Sequence, residues 1–120
     1  MINEDIRKQL ADVGLDVSEM ISRFLDSEEM FLRFFGRFFD SADDVVRQLG
    51  ESVAANDAAG IERNAHALKG IAGNIGLNGV YVPAQKIVND IRAGKTDAYA
   101  HDYEQLRAAY TTAASIYKNM

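Results

Sequence analysis

The sequence predicts an all-α protein: an antiparallel up-down four-helix bundle with one or two short accessory helices at its N-terminus. Three observations carry this. Apolar residues recur at spacings of three and four along nearly the whole chain. Helix-starting and helix-ending residues cut that pattern into segments joined by short connections, which favours antiparallel neighbours. No alternating strand pattern and no internal repeat interrupts it.

The segments follow in order. Asn3 suits the cap of a short helix carrying Ile6, Leu10 and Val13, with Gly14 ending it. Asp16 and Glu19 form a capping-box signature ahead of Met20, Ile21, Phe24 and Leu25. Asp26 and Glu29 repeat that signature. They open a long helix through Phe31, Phe34, Phe35, Phe38, Ala42, Val45, Leu49 and Val53. "AANDAAG" breaks it, and Asn56 or Asp57 caps the next helix, which ends near Gly76. Another runs from about Asn78 to Arg92 and closes at Gly94. Pro83 lies inside it, so either the helix starts near Pro83 or its first turn is irregular. Thr96 is placed to cap a last helix with Tyr99, Tyr103, Leu106, Tyr110, Ala113 and Tyr117 on one stripe. The four longer helices make the bundle, and the N-terminal pieces cover one end.

Composition narrows the function. The 120 residues suit a single domain over 1–120 with one core. A net charge of −5 argues against nonspecific binding to nucleic acid or anionic membrane. An acidic protein partner then requires a contact patch that is locally neutral or basic. With no cysteine, disulfides and thiolate metal sites are excluded. No apolar run approaches the roughly 20 residues that span a bilayer. "MINEDIRKQL" is too polar for a signal peptide, so a cytoplasmic protein is the simplest reading. The initiating methionine and short length favour a free-standing protein over a module cut from a larger one.

The stretch "AHALKGIAGNIG", Ala65 to Gly76, is unusual for a helix because it holds three glycines. Each costs roughly 1 kcal/mol relative to alanine at an exposed interior site. Ile61, Ala65, Leu68, Ala72 and Ile75 make one apolar stripe. At about 100° per residue, His66 points about 140° from that stripe, Lys69 about 80°, Gly73 about 120° and Gly70 about 180°. These four share an outward sector. His66 is therefore off the apolar face. Bare positions one and two turns beyond an exposed imidazole let another protein approach closely.

Neutral imidazole is a good nucleophile near cell pH, and an adjacent ammonium stabilises a phosphoryl group. In-line transfer needs an acceptor that stands proud of its surface. The sequence has no Walker-type loop, no kinase signature set and no carboxylate cluster for magnesium. Any metal and electrostatic catalysis must then come from a partner.

The stretch resembles the signature of histidine-containing phosphotransfer (HPt) domains, roughly A-H-x-L-K-G with a glycine ten residues after the histidine. Ala65, His66, Leu68, Lys69, Gly70 and Gly76 match it. Val80, Ala84 and Ile87 continue the similarity, and "LDVSEMISRFLDSEEMFLRFFGRFF" is similar to the family's lead-in to its first bundle helix. The resemblance spans about Leu15 to the C-terminus. It implies a four-helix bundle with an accessory N-terminal helix. It implies a phosphorelay intermediary in two-component signalling, with His66 the phosphoacceptor through Nε2. Phosphate would come from one receiver-domain aspartate and pass to another. Lys69 would neutralise the phosphoryl oxygens, and Gly70 and Gly73 would leave room for the receiver. The partners implied are response-regulator receiver domains and a hybrid sensor kinase. No kinase or ATP-binding activity and no cofactor of its own are implied, and Mg²⁺ belongs to the receiver.

One position departs from the pattern. Members often carry glutamate or glutamine where this chain has Val88, to hydrogen-bond the imidazole. Gln85 and Asn89 are the nearest polar candidates to orient His66, with water the alternative.

Other residues weigh less. Glu62 and Arg63 lie near the His66 sector and could tune docking. Phe39, on the flank of its stripe, is a candidate docking residue beside core phenylalanines. His101 has no second histidine or cysteine at i+3 or i+4, so no metal site is expected there. A monomer is expected. A rival reading is a helical adaptor that binds receiver domains without being phosphorylated. A kinase dimerisation domain fits less well, because no H-E-[L/I]-R-type box surrounds His66.

Overall fold

A computed structural model describes residues 2–120; Met1 lies outside the described residues. Among them the chain forms six α-helices and no strand: α1 (Glu4–Asp12), α2 (Val17–Arg23), α3 (Glu28–Ala54), α4 (Ala58–Ile75), α5 (Asn78–Arg92) and α6 (Tyr99–Lys118). Helices α3 to α6 form the bundle, each packing on its sequence neighbour, with α6 closing back on α3. The shorter α1 and α2 pack on α6, on α3 and on each other. The molecule measures 43 × 23 × 20 Å.

Local chemistry sets the helix starts. Asn3 and Asp16 side chains accept from the Ile6 and Glu19 amides at 2.8 and 3.1 Å, satisfying donors with no intrahelical partner. The long helix starts one residue later than the capping-box signature suggests. Ser27 Oγ accepts from Met30 N at 3.1 Å, while Leu25 and Asp26 both take φ 59°. That left-handed turn leaves Leu25 81% exposed, not on an apolar stripe. Asp57, not Asn56, caps α4 through Gly60 N at 3.2 Å. Thr96 does not cap α6: Ala98 stands there without a side-chain bond.

Pro83 neither starts α5 nor disrupts its first turn. The helix begins at Asn78, because its first amides are satisfied from outside. Asn78 N donates to Gly14 O at 3.3 Å and Gly79 N to Val13 O at 2.9 Å, in place of a side-chain cap. This pins the α1–α2 turn onto the start of α5. A methyl group on Gly79 would collide with Val13 O, so glycine is what permits the junction.

The core is lined by Phe31, Phe35, Leu49, Ile61, Leu68, Leu77, Ile87 and Leu106, all fully buried. On α3 Val46 is buried and Val45 only half-buried. On α6 Asp102 and Ile116 are buried where Tyr103 and Tyr117 are half-buried. The tyrosines instead bridge α6 to α3 at heptad intervals. Tyr117 meets the bare face of Gly36, Tyr110 Oη donates to Asp43 Oδ1 at 2.8 Å, and Tyr103 covers Gly50. Tyr99 extends the row by donating to Asn56 Oδ1 at 2.5 Å. Side-chain-free positions at Gly36 and Gly50 leave room for the hydroxyl ends of Tyr117 and Tyr103 against α3.

Candidate functional site

Helix α4 carries the candidate histidine on its outer face. Its five stripe residues, Ile61, Ala65, Leu68, Ala72 and Ile75, are all buried. The helix ends at Gly76, whose φ of 73° returns its N–H to the carbonyls of Ala72 and Gly73. With the stripe inward, rotation leaves His66, Arg63 and Gly70 exposed and Glu62, Lys69 and Gly73 half-buried.

Among the described residues the His66 imidazole makes no side-chain hydrogen bond and no ion pair. Lys69, one turn on, has no carboxylate within 4.0 Å among them. Its ammonium is therefore uncommitted. Helical side chains lean toward the N-terminus, so the Lys69 stem tilts back over the turn that holds His66.

The two glycines expected to clear space differ. A methyl group on Gly70 would meet nothing within 4 Å, so no contact inside the chain explains its bareness. A methyl group on Gly73 would stand 3.3 Å from Cδ1 of Tyr81. Gly73 is thus a seat for a ring of the chain's own, and that side of it is not open to a visitor.

Two contacts fix how α4 and α5 run past each other. Tyr81 faces Gly73, and Arg92 Nε donates to Glu62 Oε2 at 3.0 Å. Both pairs share one antiparallel register, which puts Val88 level with His66 and Gln85 level with Lys69. Val88 is 1% exposed, so the wall beside the imidazole is apolar. Gln85 is half-buried and Asn89 exposed, and neither bonds His66. Glu62 is tied to Arg92, while Arg63 is free of carboxylates among the described residues.

Phe39 does not join this face. Its ring lies 5.0 Å from Phe35, 5.6 Å from Tyr110 and 5.4 Å from Tyr117, in the seam between α3 and α6. The exposed phenylalanine is Phe34, at 41%, on the flank of α3 next to α4. Both lie about 70° from the centre of the same buried stripe, on opposite sides of it. Periodicity alone does not say which flank another helix will cover. His101 is exposed on α6. Tyr81 is the other residue the periodicity did not single out; its offset from Gly73 across the α4–α5 turn was the available signal.

The charge is uneven. Over Ala58–Ile75 and Asn78–Arg92 the cations are Arg63, Lys69, Lys86 and Arg92 and the carboxylates Glu62 and Asp90, four against two. This pair of helices is net +2 in a chain of −5. The face around His66 is thus the basic part of an acidic protein. Among the described residues no group of three or more His, Cys, Asp or Glu side chains could hold a metal ion. No helix among them is long and apolar enough to cross a membrane.

An outward histidine, a lysine one turn on with no carboxylate partner among the described residues and an open glycine beyond it thus lie together on the second helix of a four-helix bundle. The family model of the Hpt domain matches residues 33–116, and the chain belongs to the Hpt domain family. Such domains are phosphotransfer carriers, not kinases, and work with receiver domains and kinases in two-component phosphorelays. No curated protein and no solved structure matches the chain.

Proposed function

We propose that His66 is the phosphoacceptor of a relay between receiver domains. The Nε2 lone pair attacks the phosphorus of an aspartyl phosphate; the P–O bond breaks and the aspartate leaves as carboxylate. Nε2–P forms, with the ring proton held on Nδ1. The second receiver reverses the step, its aspartate oxygen taking the phosphoryl group and His66 returning to neutral imidazole. Lys69 pairs with the phosphoryl oxygens through charge-assisted bonds. The receiver would hold any Mg²⁺, which would screen charge in the transition state there. The chain works as a cytoplasmic monomer of one domain. Glu62 and Arg63 rim the contact.

The observation that carries this reading is His66 itself: exposed, with no hydrogen bond or ion pair among the described residues, and with open space at Gly70 one turn away. With Val88 opposite it, Gln85 and Asn89 are the polar side chains available to orient the ring. Unchanged transfer rates in a Gln85→Leu/Asn89→Leu double variant would assign that task to water.

Incubation with ³²P-labelled receiver domain tests the proposal. The wild-type chain gains an acid-labile, alkali-stable label, and His66→Gln gains none. Receiver binding that survives His66→Gln, with no label on either protein, supports the non-phosphorylated adaptor instead.

A further inference from the structure

The two flanks of α4 are not equivalent. On the α5 side Tyr81 covers Gly73 and Arg92 holds Glu62. Past the outward-facing Gly70, Ala67 and Asn74 are exposed on the α3 side. This lane of small side chains leads from His66 to a groove of about 210 Å³ between α3 and α4. Ile71 and Asn74 form one wall, Phe34 and Arg37 the other, and Phe24 the end.

The groove has a definite chemistry. Phe34 stacks on Phe24 at 5.0 Å yet keeps 41% of its surface exposed. The Arg37 guanidinium lies 5.5 Å from the Phe34 ring centroid. Among the described residues no carboxylate lies within 4.0 Å of Arg37, whereas Arg33, one turn earlier on α3, bonds Glu29 at 3.3 Å. An exposed ring beside a cation that has no carboxylate partner among the described residues suits an apolar side chain flanked by a carboxylate.

Resting on the phosphotransfer reading above, we propose that Phe34 and Arg37, in the groove between α3 and α4, are the contacts by which this chain selects among receivers that meet His66. Continuity supports this. Asn74 lies about 12 Å along the helix from His66. A standard interface of about 800 Å² per partner is roughly 30 Å across. A partner centred near His66 therefore covers the groove. Charge supports it as well: the cation at Arg37 extends the basic ground of the His66 face toward a partner that carries carboxylates at its own phosphorylation site. The receiver that fits presents an aliphatic or aromatic side chain to the groove and an acidic residue to Arg37.

The experiment separates docking from chemistry. Phosphoramidate labels His66 directly: its P–N bond breaks, Nε2–P forms and ammonia leaves. Labelled wild type, Phe34→Ala, Arg37→Glu and, as a control on α5, Val82→Ser (Val82 is 50% exposed) are then mixed with purified receiver domains. The expected result is equal labelling of all four. Phe34→Ala and Arg37→Glu each raise KM for the preferred receiver about tenfold, flattening its preference over others, while Val82→Ser stays within twofold. Arg37→Glu is at the surface, so it reports even where Phe34→Ala loosens the fold. Equal transfer by Arg37→Glu and wild type overturns the proposal, as does a loss in Val82→Ser as large as theirs. Self-association of the unphosphorylated chain that Arg37→Glu abolishes, with transfer unchanged, overturns it in favour of a second copy in the groove. Failure of phosphoramidate to label wild type at His66 is a different result, and counts against the phosphoacceptor reading.

Discussion

The ring of Tyr81 lies against the bare backbone of Gly73, so two glycines only one turn apart on α4 serve different ends. Gly70 faces open space and Gly73 faces a phenol. Gly70→Ala should therefore raise stability by about 0.5–1 kcal/mol, the ordinary helix-propensity gain. Gly73→Ala should gain less, because the ring must give way by a few tenths of an ångström. Urea denaturation of the two variants measures the difference. Gly70→Gln keeps the fold and slows phosphotransfer, since a long side chain then stands beside His66.

Tyr110 makes stability fall in alkali. Burial, together with its hydrogen bond to Asp43 and the nearby Asp40 charge, pushes the hydroxyl pKa well above its usual value. The folded state thus favours the protonated phenol. Its contribution is complete below about pH 10, the unfolded value, and is lost as pH rises from there toward the folded one. Tyr110→Phe should cost about 1 kcal/mol at neutral pH, with a shallower fall above pH 10. Denaturant midpoints across pH 7–11 for both proteins check the slope.

The seat of Tyr117 at Gly36 predicts a coupling. Gly36→Ala places a methyl group into the Tyr117 hydroxyl and should destabilise, although alanine is the better helix former. Removing that hydroxyl with Tyr117→Phe should recover part of the loss. A double-mutant cycle in thermal unfolding should give a coupling above about 0.5 kcal/mol. Additivity would mean the ring simply swings away.

The Glu62–Arg92 pair should matter little to stability. Both side chains are about half exposed, and exposed pairs contribute about 0–1 kcal/mol. Glu62→Gln should shift the unfolding midpoint by no more than a degree or two. Any larger effect should be on receiver affinity and should fade with salt.

Where burial follows from one helix's own periodicity, the sequence was readable. The stripe from Ile61 to Ile75 is buried as its spacing requires, and the α5 boundaries at Asn78 and Arg92 agree with the turn residues beside them. The outward sector of His66 and Gly70 followed from the same rotation. What was not readable depended on partners from elsewhere in the chain. The start of α5 rests on carbonyls of Val13 and Gly14, so Pro83 misled. Phe34 and Phe39 are near-mirror positions on one helix, and only the arrival of α6 on one flank and α4 on the other separates them. Ala98 precedes α6 with no side-chain signal at all. The polar neighbour missing at Val88 was visible, but the register that sets Gln85 beside Lys69 required two long-range contacts.

Tyr81 covers Gly73, two turns along α4 from His66. If His66 is the phosphoacceptor proposed above, one imidazole serves donor and acceptor alike, so the two would take turns there. Such a relay would run by exchange of visitors, and its speed would be capped by how fast each one departs.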